Sequence, residues 1–227
     1  MTSLVDSFSG ALRKLWPHGD QHVPGLVDGI VASAPAVFDK YGVVAPLTVA
    51  MMFGQFSEEC GAGLEMVENL NYSAQGLRRT WPAHFRGSMA ARYAHNPRMI
   101  ADVAYGGRMH NAPPPSDDGW DYRGRGPSQV TGKGNKAGAG EPPSGYLGLQ
   151  EALTAAGVDV DIIEDPDLVC DPRYALWCGV ADFVLCGCLP FAESGDVLNT
   201  TRRLNGGTIG LAEREQWTRE WRRAMGV

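Results

Sequence analysis

No apolar run in this 227-residue chain approaches the ~18 residues that a membrane-crossing helix needs, so no transmembrane segment is expected. The first residues, Met1 to Phe8, lack the basic start and apolar core of a secretory signal, and the expectation is a chain made and kept in the cytoplasm. Cys-x-x-Cys is absent. The five cysteines, Cys60, Cys170, Cys178, Cys186 and Cys188, are an odd number with no histidine near the last three, which predicts free, buried thiols rather than disulfides or a metal site. Excess positive charge is also missing: a net charge of −6 argues against a nucleic-acid partner, and the arginines at 202, 203, 219, 222 and 223 read as a solvated helix face. Strand signal is thin, and there is no internal repeat, low-complexity tract or linker-like stretch. One domain spanning residues 1–227 is therefore expected.

What the chain has in quantity is helix signal. Pro24 opens a helical period through Leu26, Ile30, Val37 and Tyr41 that Gly42 ends, with a kink expected at Pro35. Pro46 opens a second helix carrying Met51, Phe53 and Phe56 and stopping at Gly61. Ser73 reads as the cap of a short helix to Thr80, and Asn96-Pro97 as the cap and first residue of another that Gly106 ends. Asp171-Pro172 precedes a segment that is apolar nearly all round its axis, the expected central helix. Two more helices, from about Gly195 to Asn205 and from Gly210 to Met225, close the sequence. His110–Asp121 and Gly132–Gly145 read as long irregular segments forming the walls of a cleft. The thin strand signal falls near 64–69 and 128–131, where short ribbons are expected. The expected fold class is mainly α, with at most a small β ribbon, in one sizeable core or in two helical lobes flanking a cleft.

Within this pattern Glu59 and Glu68 stand out. A continuous helix would hold two residues nine apart on opposite faces, ~13 Å along the axis. Gly61 and Gly63 allow a different geometry, in which the helix stops and the chain turns back, setting the second carboxylate across a cleft from the first. Two carboxyl groups facing each other across room for a water suit hydrolysis of a glycosidic bond. Gln55, one helical turn before Glu59, lies on the same face and is placed to orient it. The glycines of Gly124-Arg125-Gly126 imply a tight turn, with the arginine paired to an acid beneath the cleft. Tyr72 and Tyr122 fit either sugar subsites or the rim of a core.

The stretch Gln55-Phe56-Ser57-Glu58-Glu59-Cys60-Gly61, followed by Val67-Glu68-Asn69-Leu70-Asn71-Tyr72-Ser73, resembles the catalytic segment of glycoside hydrolase family 19, which contains chitinases and bacteriophage endolysins. Further motifs of that family are matched in order: Leu12-Arg13-Lys14-Leu15-Trp16-Pro17, then Tyr105-Gly106-Gly107-Arg108-Met109-His110-Asn111, then Asp118 through Gly132, and finally Asn205-Gly206-Gly207 with Arg214. The resemblance implies a general acid at Glu59, a general base at Glu68, and cleft contacts from Gln129, Thr131, Asn135, Asn205 and Arg214, the arginine being also of a type that can orient and partly neutralise a carboxylate network. It implies a mainly α, α+β lysozyme-like fold with two helical lobes flanking a substrate cleft, and an inverting mechanism with no cofactor and no metal.

The chain departs from the family in having Glu58 and Cys60 beside the acid, where His and Ser or Thr are usual, and Lys136 where Tyr usually follows the asparagine. A second carboxylate next to Glu59 would help keep the acid protonated near neutral pH. Without a secretory signal, the phage branch is the expected one. That implies a monomeric endolysin that cuts the β-1,4 bond of peptidoglycan between N-acetylmuramic acid and N-acetylglucosamine, without inserting into the membrane. It would be stored in the host cytoplasm and released to the periplasm and cell wall by a holin. A chitinase acting on chitin oligomers and an inactive glycan-binding relative are the alternatives.

Overall fold

The computed structural model describes residues 3–138 and 140–227; Met1, Thr2 and Ala139, which fall within the predicted signal-free start and the predicted 132–145 segment, lie outside the described residues. Twelve α-helices are found among these residues: α1 (Leu4–Leu15), α2 (Leu26–Tyr41), α3 (Pro46–Glu59), α4 (Ala74–Thr80), α5 (Met89–Tyr93), α6 (Pro97–Tyr105), α7 (Asp118–Asp121), α8 (Gly145–Ala156), α9 (Ala175–Leu185), α10 (Leu189–Ser194), α11 (Val197–Asn205) and α12 (Leu211–Met225). The expected ribbon is reduced to isolated antiparallel bridges, Val67 with Arg125, Arg125 with Val130 and Asn135 with Ser144. The fold is mainly helical, as predicted.

Local chemistry explains the boundaries. Ser73 and Asn96 accept backbone N–H bonds from Gly76 and Met99, and Pro46 and Pro97 occupy first-turn positions where no donor is lost. The apolar segment after Asp171 starts its helix later than expected, at Ala175, with the carbonyl of Asp171 accepting from the N–H groups of Tyr174 and Ala175. That helix shares the centre of the protein with α3, where Thr48 through Ser57 form an unbroken buried run. An all-round apolar helix needs partners on every side, and α3 has them in α1, α10, α11 and α12. α12 comes closest: a Cβ on Gly54 would lie 2.3 Å from Thr218 Oγ1, so only glycine permits this crossing. Trp16 from the end of α1 and Trp221 from α12 each donate an indole N–H to Ser57 Oγ at 2.8 Å, which satisfies both polar tips inside the core.

Three apolar clusters result. The largest packs α1, α2, α3, α9 and α12; a second joins α8 to α9 through Tyr146, Leu149, Leu153 and Ala181. The third is small and separate, built from Leu70, Leu77, Phe85, Ala90, Ile100 and Ala101 of the 70–105 region. It forms the minor lobe, facing the main body across a cleft.

Candidate active site

Glu59 is the last residue of α3. After it Gly61, Ala62 and Gly63 all take positive φ (55°, 54° and 89°), and Glu65 N–H returns to the carbonyl of Cys60 at 2.9 Å. Three consecutive left-handed residues reverse the chain, as the glycines led us to expect, with Ala62 the strained member. The returning segment then pairs with the turn at 124–126: Glu68 N–H donates to the carbonyl of Gly124 at 2.9 Å and Gly126 N–H to that of Met66 at 2.8 Å. Arg125, 3% exposed, anchors this turn from beneath by donating to Asp167 Oδ1 and to the carbonyl of Asp121, both at 2.7 Å. The pairing predicted for that arginine is thus present.

Both carboxylates line a hollow of about 510 Å³ shared with Tyr105, Met109, Gly124, Ser128, Gln129, Val130, Thr131, Gly145, Asp182, Cys186, Leu204 and Asn205. A second hollow of about 420 Å³ adjoins it across Glu59, Glu68 and Gln129 and extends past Glu65, Asn69, Asn71 and Tyr72. The result is a trough running through the acid pair, a shape suited to a polymer.

The two glutamates are held differently. Glu59 accepts from Arg214 Nη2 at 2.7 Å; that guanidinium, 3% exposed, also donates to Gln55 Oε1 at 2.9 Å and to the carbonyl of Ile209. Gln55 in turn donates to Thr201 Oγ1. Glu68 accepts from the Tyr105 hydroxyl at 2.5 Å and from Gly124 N–H at 3.3 Å. Burial, reinforced by the Glu68 charge, pushes the Tyr105 hydroxyl far above its ordinary range, so it stays a donor. The carboxyl of Glu58 is shifted upward, first by burial and then by Glu213 and Glu59 against the opposing pull of Arg214.

Several predicted contacts lie elsewhere. Gln55 is fully buried and reaches Glu59 only through Arg214, which is itself behind the acid rather than in the trough. Tyr122 is 6% exposed and packs on Tyr146 in the second core, which resolves its two readings in favour of the core. Asn135 spends its amide on the carbonyls of Glu141 and Pro142 and accepts from Ser144 Oγ at 2.6 Å; it closes a loop and lines neither hollow. Tyr72, Gln129, Thr131 and Asn205 do line the trough. Gln129, at φ 55°, donates to the carbonyls of Glu65 and Gly126, and Thr131 Oγ1 donates to that of Gln129. The walls differ from expectation: of the described 132–145 residues only Gly145 lines the trough, and none of 110–121 does, that stretch ending in the short helix α7.

Among the lining residues not anticipated as site residues are Tyr105 and Asp182. Tyr105 opened one of the motifs, so its signal was in view. Asp182, 6% exposed on α9, lay hidden in an apolar run; burial, with help from Glu59 and against a hydrogen bond from Ser128, pushes its carboxyl up to about 6. The thiols are free, and only Cys186 is more than slightly exposed. Cys60 Sγ donates to the carbonyl of Phe56, the back-bond that a Ser or Thr would make there, and burial pushes the thiol up to about 12, well away from nucleophilic use.

A trough between helical lobes with two carboxylates at its midpoint defines a class, the glycoside hydrolases. No family model matches the chain. It is, however, 31% identical over 215 residues to a glycosyl hydrolase family 19 domain-containing protein of Haemophilus influenzae, with 94% of each chain covered. The chain belongs to glycosyl hydrolase family 19. Among solved structures it is similar to a bacterial family 19 chitinase (TM-score 0.57, 18% identity, 99% of this chain and 96% of that one) and to chitinase C from Streptomyces griseus (TM-score 0.52, 15% identity, 100% and 95%). At those identities the likeness concerns the fold.

Proposed function

We propose that this glycoside hydrolase works by an inverting acid/base mechanism, with Glu59 as acid and Glu68 as base, on peptidoglycan, as an endolysin. The observation that carries the mechanism is the pair of carboxylates lining one trough, each held by its own hydrogen-bond network. Glu68 accepts hydrogen bonds from the Tyr105 hydroxyl and the Gly124 N–H, which hold its carboxylate in place at the trough, as a positioned base requires. Glu59 leans on Arg214 through one oxygen while its side chain, 17% exposed, still borders both hollows, where it can deliver a proton to the leaving oxygen. Thr131 and Gln129 lie beside Glu68 and supply polar atoms for the attacking water or a substrate amide.

In this reading the bond cut is the β-1,4 link between N-acetylmuramic acid and N-acetylglucosamine, and the enzyme is held in the host cytoplasm until it reaches the wall. Chitin has the same linkage and N-acetyl groups, and the chitinases among the similar structures favour it as the second reading. Turbidity loss of outer-membrane-permeabilised Gram-negative cells, set against reducing-end release from chitin oligomers, separates the two. Glu59→Gln and Glu68→Gln are each expected to lower turnover by about 10²–10⁴-fold on the preferred substrate. Equal turnover in wild type and either variant would remove the mechanism.

A further inference from the structure

The distribution of charge in this chain is uneven in a way the catalytic trough does not explain. Residues 69–101 contain no Asp or Glu but five arginines, Arg78, Arg79, Arg86, Arg92 and Arg98; the rest of the chain carries 15 Lys and Arg against all 26 acids. This stretch is the minor lobe, α4 and α5 packed against each other and followed by α6. Arg98 is paired with Asp117. The other four are exposed, and none is in an ion pair with any described residue.

Arg78, Arg79 and Arg86 sit near the Tyr72 end of the trough, where the Tyr72 ring packs on Trp81 at the end of α4, and Arg92 lies on the adjoining α5. Arg78 Nη2 lies 3.5 Å from the carbonyl of Gly87, next to Arg86, and the charge of Arg79 is felt by Tyr72, which lines the outer hollow. Arg92 follows on α5, its guanidinium 5.8 Å from the centre of the Tyr93 ring. The trough is lined by the acids Glu59, Glu65, Glu68 and Asp182 and by no Lys or Arg. A substrate that met only the trough would be a neutral sugar chain. One that continued past Tyr72 would meet four unneutralised positive charges, whose field attracts anionic groups.

We propose that the acid-free arginine face of the minor lobe docks the carboxylates on the peptide stems of peptidoglycan as the glycan strand enters the trough. This rests on the peptidoglycan reading above and gives it a recognition element that neutral chitin has no group to engage. The neutral glycan core lies over the acids, while the stems, which project from the muramic acid residues, reach the arginines. Exposed guanidinium–carboxylate contacts are individually weak, so the effect is collective and sensitive to salt.

The test is co-sedimentation with purified Gram-negative sacculi, with insoluble chitin and with phosphatidylglycerol vesicles, at low and high NaCl. The parent is the full chain carrying Glu59→Gln, so that no ligand is consumed. Replacing Arg78, Arg79, Arg86 and Arg92 together by Gln is expected to weaken sacculus binding about tenfold at low salt and to flatten its salt dependence. Circular dichroism verifies that this variant is folded; if it is not, the pairs Arg78/Arg79 and Arg86/Arg92 are replaced separately, with about a threefold loss expected for each. A parent that binds chitin and ignores sacculi overturns the peptidoglycan reading together with the docking face. Sacculus binding by the parent that persists unchanged in the variants overturns the docking face alone, as does tighter binding to vesicles than to sacculi.

Discussion

Asp182 shows how much one residue can alter in a site without belonging to its motif. Its carboxyl is buried on α9, bordering the same hollow as Glu59 and Glu68, with a Ser128 hydroxyl as donor and no cation at hand. Because its folded-state value is raised, from 3.8 to about 6, the stability it contributes is fully present below pH 4 and lost as pH rises through 6. Asp182→Asn mimics the protonated form and removes that loss. The variant is expected to match wild type in urea unfolding near pH 4 and to exceed it by about 2–3 kcal/mol above pH 7; a gap that does not widen with pH would disprove the assignment. Sequence reasoning missed this residue because a lone acid in an apolar helix carries no periodic signal.

The misplacements among the named residues have equally local causes. Gln55 was assigned to the face of Glu59 by helical spacing, and the spacing was right. What lies opposite that face, however, is Arg214 from a helix about 160 positions away in the chain. Asn135 follows the trough residue Thr131 by four positions and Tyr122 precedes Gly124 by two, yet they turn their side chains into a loop and a core.

At the scale of elements, boundaries were readable wherever a cap or proline marked them: Ser73, Asn96, Pro46 and Pro97 all sit where their chemistry predicts. The short helices α5, α7 and α10 carry too few residues to establish a period, and Ser144, which precedes α8, makes no side-chain cap bond to announce it. The element that matters most is the reversal after α3. At Gly63, φ is 89° and an added Cβ would stand 2.9 Å from Gly19 Cα, against backbone that cannot swing aside. Gly63→Ala is expected to cost about 1–3 kcal/mol in urea unfolding and to lower turnover, because the same turn determines where Glu68 arrives. Unaltered stability would mean that the turn relaxes freely.

At the scale of the whole molecule, the trough lies between the main body and a minor lobe with its own small core, so a long glycan touches both. Binding to the folded state alone raises stability by about 2.7 kcal/mol at a hundredfold excess over Kd. For Glu59→Gln with its preferred oligosaccharide this corresponds to a Tm increase of roughly 5–10 °C. Scanning calorimetry with chitin oligomers and with solubilised muropeptide chains tests this, and the absence of a shift with both would argue against the trough as the glycan site.

Ser57 sets a condition on the order in which this molecule can be made. Its hydroxyl joins Trp16 to Trp221, two residues before Glu59, and Arg214 from the same α12 braces that acid. On the ribosome, α3 and the returning Glu68 segment emerge long before α12 is synthesised. A nascent chain therefore holds Glu59 without the Arg214 brace, and the acid pair is completed only when α12 leaves the exit tunnel.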